Sequence, residues 1–244
     1  AAGIGAGIGA IFRAPLGGAL LAAEILYLHD IEVEAIIPSL IASIVGYTVY
    51  GAVMGYAPIF GAHAWLELGA PVQLLYYGVL GHVAGVGGIV YARTFYATTD
   101  LFRRLTVPRV AKPALGGLAV GLLGLEMPQV VHTGYGWVQL VMTREGLLAM
   151  SPLVLLALPL AKVIATSLTI GSGGSGGVFG PGMVIGGMLG ALLWRVALAA
   201  GLPSLPPDPA PFVIIGMMSL FGGIAHAPLA VMLMVAEMTG TLSL

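Results

Sequence analysis

"GSGGSGGVFGPGMVIGG", residues 171–187, interrupts a chain that is otherwise almost wholly apolar, and its interpretation decides the fold. Seven of its first thirteen residues are glycine. Each glycine costs a helix about 1 kcal/mol relative to alanine, so the run Gly171–Gly177 ends whatever helix precedes it. Pro181 then marks where a new helix begins, because proline's missing N–H is spare in a first turn. At membrane depth such a break survives only inside protein or beside a wet cavity, since lipid offers backbone groups no partner. The amides of Val178, Phe179 and Gly180 would lie at the positive end of the new helix, a place suited to an anion. A tight packing turn is the competing account, but seven glycines exceed what packing requires. A nucleotide-binding loop is excluded, because no Gly-Lys-Ser/Thr follows the glycines.

Composition sets the surroundings of this break. Of 244 residues, 59% are hydrophobic and 8% charged, with a mean hydropathy of +1.03. A soluble domain carries about 25% charged residues, so the chain is expected to be an integral membrane protein. A net charge of −1 argues against nucleic acid as a partner. Cysteine is absent, which removes disulfides and thiolate metal sites. His29, His63, His82 and His132 show no ligand spacing, so no metal site is expected, and neither a cofactor nor enzymatic chemistry is expected. His226, like Arg13 in the other copy of Ala-Pro-Leu, is expected at a helix entrance. The chain opens without a basic n-region or an initiating Met and is expected to be an interior piece of something longer.

Apolar stretches predict helices near 15–28, 34–55, 71–99, 111–125, 135–148, 151–169, 181–199, 211–223 and 228–239, several shorter than the ~20 residues of a simple span. Arg93, Arg103, Arg104, Arg109 and Lys112 crowd one connection, which the positive-inside rule makes cytoplasmic; a patch for lipid headgroups is the alternative. Gly3, Gly5, Gly7 and Gly9 suit close helix packing. Trp65, Tyr76, Tyr77 and Trp137 suit the interfacial belts.

The two ends of the chain repeat one another. "IFRAPLGGALLAAEILY" (11–27) and "IAHAPLAVMLMVAEMTG" (224–240) both carry Ala-Pro-Leu, an apolar run and Ala-Glu, with Glu24 and Glu237 each nine residues after a proline. Internal repeats of this kind build transporters with a site between the halves. The two carboxylates invite a functional assignment by their membrane position, but a structural role is favoured. Lys162, nine residues before Gly171, either draws anions through its field or snorkels to an interface.

Together these segments resemble the CLC family of chloride channels and chloride/proton antiporters. Gly177-Val178-Phe179-Gly180-Pro181 is similar to the family's Gly-x-Phe-x-Pro signature, and the likeness runs upstream to Lys162. Residues 1–27 resemble the segment that follows the gating glutamate, 132–140 a mid-chain loop, and 216–240 the late Ala-Pro-Leu helix. The resemblance implies an all-α integral membrane fold, a multi-helix bundle with broken, re-entrant helices and inverted repeats. It implies one transmembrane anion-transport domain over 1–244, truncated at both ends relative to the family, and a homodimer in the plasma (inner) membrane. Chloride would be held by backbone amides at Gly177, Val178, Phe179 and Gly180. The family's serine motif, gating-glutamate motif and late tyrosine are missing: Tyr135 is the last tyrosine and stands too early. Thr143–Leu148 ("TREGLL") lacks the gate's flanking residues and is expected to cap a loop. The chain alone is therefore expected not to conduct. Where family antiporters carry a second, proton-relaying carboxylate after the one matched by Glu24, this chain has Ile25, which implies weak or no proton coupling. Transport of another small anion (fluoride, a carboxylate) and a non-conducting membrane scaffold are the rival expectations.

Overall fold

The computed structural model describes residues 1–25, 32–61 and 69–241, and among these every regular element is helical. His29, His63 and Trp65 lie outside the described residues. In chain order the helices are α1 (Ala2–Ile11), α2 (Pro15–Glu24), α3 (Val33–Met54), α4 (Gln73–Arg104), α5 (Lys112–Glu126), a 3-10 turn (Pro128–Val130), α6 (Tyr135–Met142), α7 (Arg144–Ala149), α8 (Pro152–Gly171), α9 (Phe179–Ala199), α10 (Ala210–Ala225) and α11 (Pro228–Thr239). Of these, α3, α4, α8 and α9 are long and apolar enough to cross a membrane, while α1, α10 and α11 are shorter apolar helices. The expected class, a bundle of long and interrupted apolar helices, is the one found.

Three boundaries depart from expectation for identifiable reasons. Helix α1 lies outside the expected helical spans, although its glycines suit close helix packing; in water they would weaken it. In an apolar setting the backbone has no other partner, and the small residues become an asset. Gly5 and Gly9, one turn apart, are buried against Ser39 and Ser43 of α3. The stretch 135–148 is two helices, because Thr143 leaves the helical conformation and its Oγ1 accepts the amide of Gly146, so "TREGLL" does cap a turn. Helix α4 runs on to Arg104, where Lys112 Nζ donates to the carbonyl of Phe102 and closes its carboxyl end.

The chain divides into two compact units, residues 1–73 with 221–244, and residues 74–220. In the first, the sequence repeat is also a structural one. Arg13 and His226 both take a left-handed backbone, with φ of 51° and 52°. Ala14 and Ala227 follow with nearly equal angles, and their amides donate to Gly9 and Gly222 respectively. Pro15 and Pro228 then open α2 and α11. These two helices touch backbone to backbone: a Cβ added at Gly17 would stand 2.4 Å from the Cα of Met234. Lipid supplies little hydrophobic drive for helix association, so close approach through small residues takes its place.

Each helix of this pair closes the other. Glu24, at the carboxyl end of α2, accepts the amide of Ala230 in the first turn of α11 at 3.0 Å. Glu237, near the end of α11, accepts the amides of Leu16 and Gly17 in the first turn of α2 at 3.1 and 2.8 Å. A nine-residue offset at 1.5 Å per residue spans about 13 Å, the length needed to reach the far end of an antiparallel neighbour. The shared spacing of proline and glutamate is the distance over which two such helices cap one another.

In the second unit, glycines let α9 approach carbonyls of α10 directly. A Cβ at Gly190 would lie 2.0 Å from the Phe212 oxygen, and one at Gly186 2.2 Å from the Gly216 oxygen. The buried Trp194 is fastened by its Nε1, which donates to Pro206 at 3.0 Å. These contacts fix α9, and with it the position of its amino terminus.

Candidate anion-binding site

Helix α8 ends at Gly171, and the released carbonyl of Thr169 is taken up by Ser172 Oγ at 3.0 Å and by the amide of Gly174 at 3.1 Å. Gly173 turns the chain with φ of 94°. The backbone stays out of helix until Val178 caps α9, whose first i→i−4 bond runs from Gly182 N to Val178 O at 3.0 Å. The helix thus starts two residues before Pro181, which sits third. Its absent N–H is still one of the four that need no intrahelical partner. The amides of Val178, Phe179 and Gly180 all precede the first helical bond. Val178 and Phe179 are half-buried and Gly180 is buried, whereas Gly177 is exposed with open space at its Cβ position.

The electrostatics of this region are one-signed. No Asp or Glu stands between Glu145 and Asp208. Within that interval Lys162 and Arg195 are the only Lys or Arg residues, and carbonyl oxygens receive both. Arg195 Nη1 donates to Leu147 and Met150. Lys162 is 2% exposed, and its Nζ donates to Val130 at 2.8 Å and to His132. Its ammonium is held inside the unit instead of extending to an interface, and the one ion pair among the described residues is Arg103–Asp100.

The turn that receives Lys162 leads into α6. His132 and Gly134 have φ of 62° and 88°, and Gly134 is the amino-terminal cap. Glycine is required there on two counts: the left-handed angle, and a position where a Cβ would meet Val184 of α9 at 3.2 Å and Lys162 Nζ at 3.7 Å. Tyr135 follows, and a Cβ on Gly180 would stand 3.3 Å from its hydroxyl oxygen. Helix α6 therefore opens beside the first two turns of α9, with the buried Lys162 ammonium close to its amino-terminal cap, Gly134. Nothing in the sequence indicated that Tyr135, more than forty residues upstream, lies against the signature segment.

Glu24 and Ile25 belong to the other unit, where Glu24 is a helix cap and Ile25 is the half-buried residue that ends α2.

All 244 residues match the family model described as voltage gated chloride channel. The chain belongs to that family. A putative chloride channel protein, ClcB-like, from Ralstonia nicotianae is 33% identical over 98% of this chain and 54% of its own length. The voltage-gated ClC-type chloride channel ClcB of Citrobacter koseri is likewise 33% identical, over 98% of this chain and 56% of its own length. A solved slow cyanobacterial Cl-/H+ antiporter superposes with a TM-score of 0.83 at 25% identity, covering 98% of this chain and 55% of that one. A CLC-type fluoride/proton antiporter shares the fold with a TM-score of 0.80 at 23% identity, covering 98% and 57%. The chain spans about half the length of these relatives. With four helices among the described residues long and apolar enough to cross a bilayer, it is a multi-pass membrane protein of this family.

Proposed function

We propose that residues 1–244 form part of one transmembrane anion-transport domain, truncated at both ends relative to the family, and that the whole protein carries chloride or a similar halide, held in this part by backbone amides at Gly177, Val178, Phe179 and Gly180. The observation that carries this is a contrast between helix openings. The first turns of α2 and α11 are filled by Glu237 and Glu24, anions built into the chain. Helix α9 opens on glycine and on Val178, whose side chain has no polar atom, in a stretch without a carboxylate and next to the turn that Lys162 holds. The same physics that recruits a glutamate at two helices leaves a place for a diffusible anion at the third. Lys162 adds a positive field without filling the place itself. Among the relatives, one is named a putative chloride channel protein, one a voltage-gated ClC-type chloride channel and one a Cl-/H+ antiporter. Ile25 cannot carry a proton and favours weak or absent proton coupling. The protein works without cofactor or enzymatic chemistry, as a homodimer in the plasma (inner) membrane.

Bromide soaked into crystals tests the site. Anomalous density against the amides of Val178 and Phe179 is the expected result, and density only elsewhere overturns it. Binding of carboxylates or phosphate but not halides would move the assignment to another anion transporter, and binding of no anion would leave a membrane scaffold.

A further inference from the structure

We propose that the hydroxyl of Tyr135 is a side-chain donor to the anion at the first turn of α9 and sets how tightly the site holds its ion. The proposal rests on the assignment of that turn as the anion site. The placement of Tyr135 is fixed from three sides. Gly134 gives the left-handed turn into α6, Val184 of α9 packs where a Cβ on Gly134 would stand, and Lys162 ties the carbonyls of Val130 and His132 beneath it. The tyrosine ring then reaches Gly180, and because that residue is glycine no side chain separates the hydroxyl from the α9 backbone. A phenol oxygen both donates and accepts; beside backbone amides that already point at an anion, its proton is the useful part.

A second observation, independent of the helix opening, calls for an anion here. The Lys162 ammonium has three donors. Two go to carbonyls, the residue is 2% exposed, and no carboxylate pairs with it among the described residues. A buried cation without a counter-ion is costly. Lys162 Nζ lies near Gly134, the residue before Tyr135, and the Tyr135 hydroxyl lies near Gly180 of α9, so an anion held at that hydroxyl would lie in the field of the lysine and of the α9 opening.

The test uses the purified protein, with bromide as the probe, in two measurements. The first is the anomalous bromide position in wild-type crystals; the second is bromide affinity by calorimetry for wild type and Tyr135→Phe, which keeps the ring and removes only the hydroxyl. The expected result is a peak at the first turn of α9 within hydrogen-bond reach of the Tyr135 oxygen, and about tenfold weaker binding in the variant, the usual loss for one hydrogen bond to a charged partner. A peak at that turn but out of reach of the hydroxyl, or an unchanged affinity in Tyr135→Phe, overturns the role of Tyr135 and leaves the α9 site standing. A peak elsewhere, or none, overturns the α9 site and Tyr135 with it. If Tyr135→Phe does not fold, the wild-type peak position decides alone.

Discussion

The α2–α11 pair and the opening of α9 pose the same electrostatic problem and resolve it in opposite ways. All three helices begin with backbone donors that have no partner within the helix, and each carries a proline within its first turn. At α2 and α11 the solution is internal: carboxylates from the far end of the neighbouring helix close the turn. At α9 the chain withholds the carboxylate, brings a second helix opening alongside, and holds a lysine beneath. A helix end that is finished by its own protein is structural. One that is surrounded by positive groups and left without a built-in anion is equipped to take one from solution.

The comparison breaks most readily at the finished ends. Glu237→Leu strands two amides in the first turn of α2, and with about 1.5 kcal/mol lost per bond to a charged acceptor the protein should lose about 3 kcal/mol. Glu24→Leu strands one amide and should lose about half as much. Thermal unfolding in detergent checks the order, and equal losses would mean that the caps are not what the carboxylates contribute. Bromide affinity should stay unchanged in whatever fraction of either variant remains folded.

Converting the open end into a finished one sharpens the same contrast. Val178 is the amino-terminal cap of α9, a position where aspartate is among the preferred residues. Val178→Asp places a tethered carboxylate where the diffusible anion is proposed to sit. Bromide binding should fall by more than about tenfold, the equivalent of 1.4 kcal/mol, while the unfolding temperature holds or rises. Loss of binding with loss of stability would point to disruption instead of replacement, and unaltered binding would place the anion elsewhere.

How far these features could be read from the chain depends on how local their chemistry is. The break at Gly171–Gly177 and the restart near Pro181 are properties of adjacent residues, so they were legible, and the start of α9 moved by only two positions. The glycines of α1 were legible as packing residues but the helix itself was not placed: only Gly5 and Gly9 make the contact, and their partners Ser39 and Ser43 are distant in sequence. The repeat of proline and glutamate was visible and a structural role for its glutamates was favoured, as the caps bear out; which helix each would cap was not visible. A glutamate reads the same whether it carries protons or caps a helix more than two hundred residues away. Tyr135 was legible only as too early for the family's late tyrosine, since order along the chain says nothing of which helix end a side chain will meet.

The smallest effect is expected at the contact between those two helix openings. Gly180 is buried, its φ is not left-handed, and the one close neighbour of an added methyl is the Tyr135 hydroxyl at 3.3 Å. Gly180→Ala therefore leaves the backbone unstrained and favours the helix by up to about 1 kcal/mol through propensity. The hydroxyl must give way by a few tenths of an ångström, a movement the end of a tyrosine side chain can make. If that oxygen donates to the anion, the displacement lengthens one charged hydrogen bond without breaking it, and bromide affinity should weaken by about two- to threefold, or about 0.5 kcal/mol. Stability and affinity should thus move in opposite directions, the signature of a residue kept small for its neighbour and not for its own helix. Calorimetry and thermal unfolding on the same preparation separate the two. An unchanged affinity with the expected gain in stability would mean that Gly180 is small for packing alone. In the double variant with Tyr135→Phe the alanine should cost no further affinity, because the group it displaces is gone; an added loss there would show that the methyl acts on the α9 amides directly.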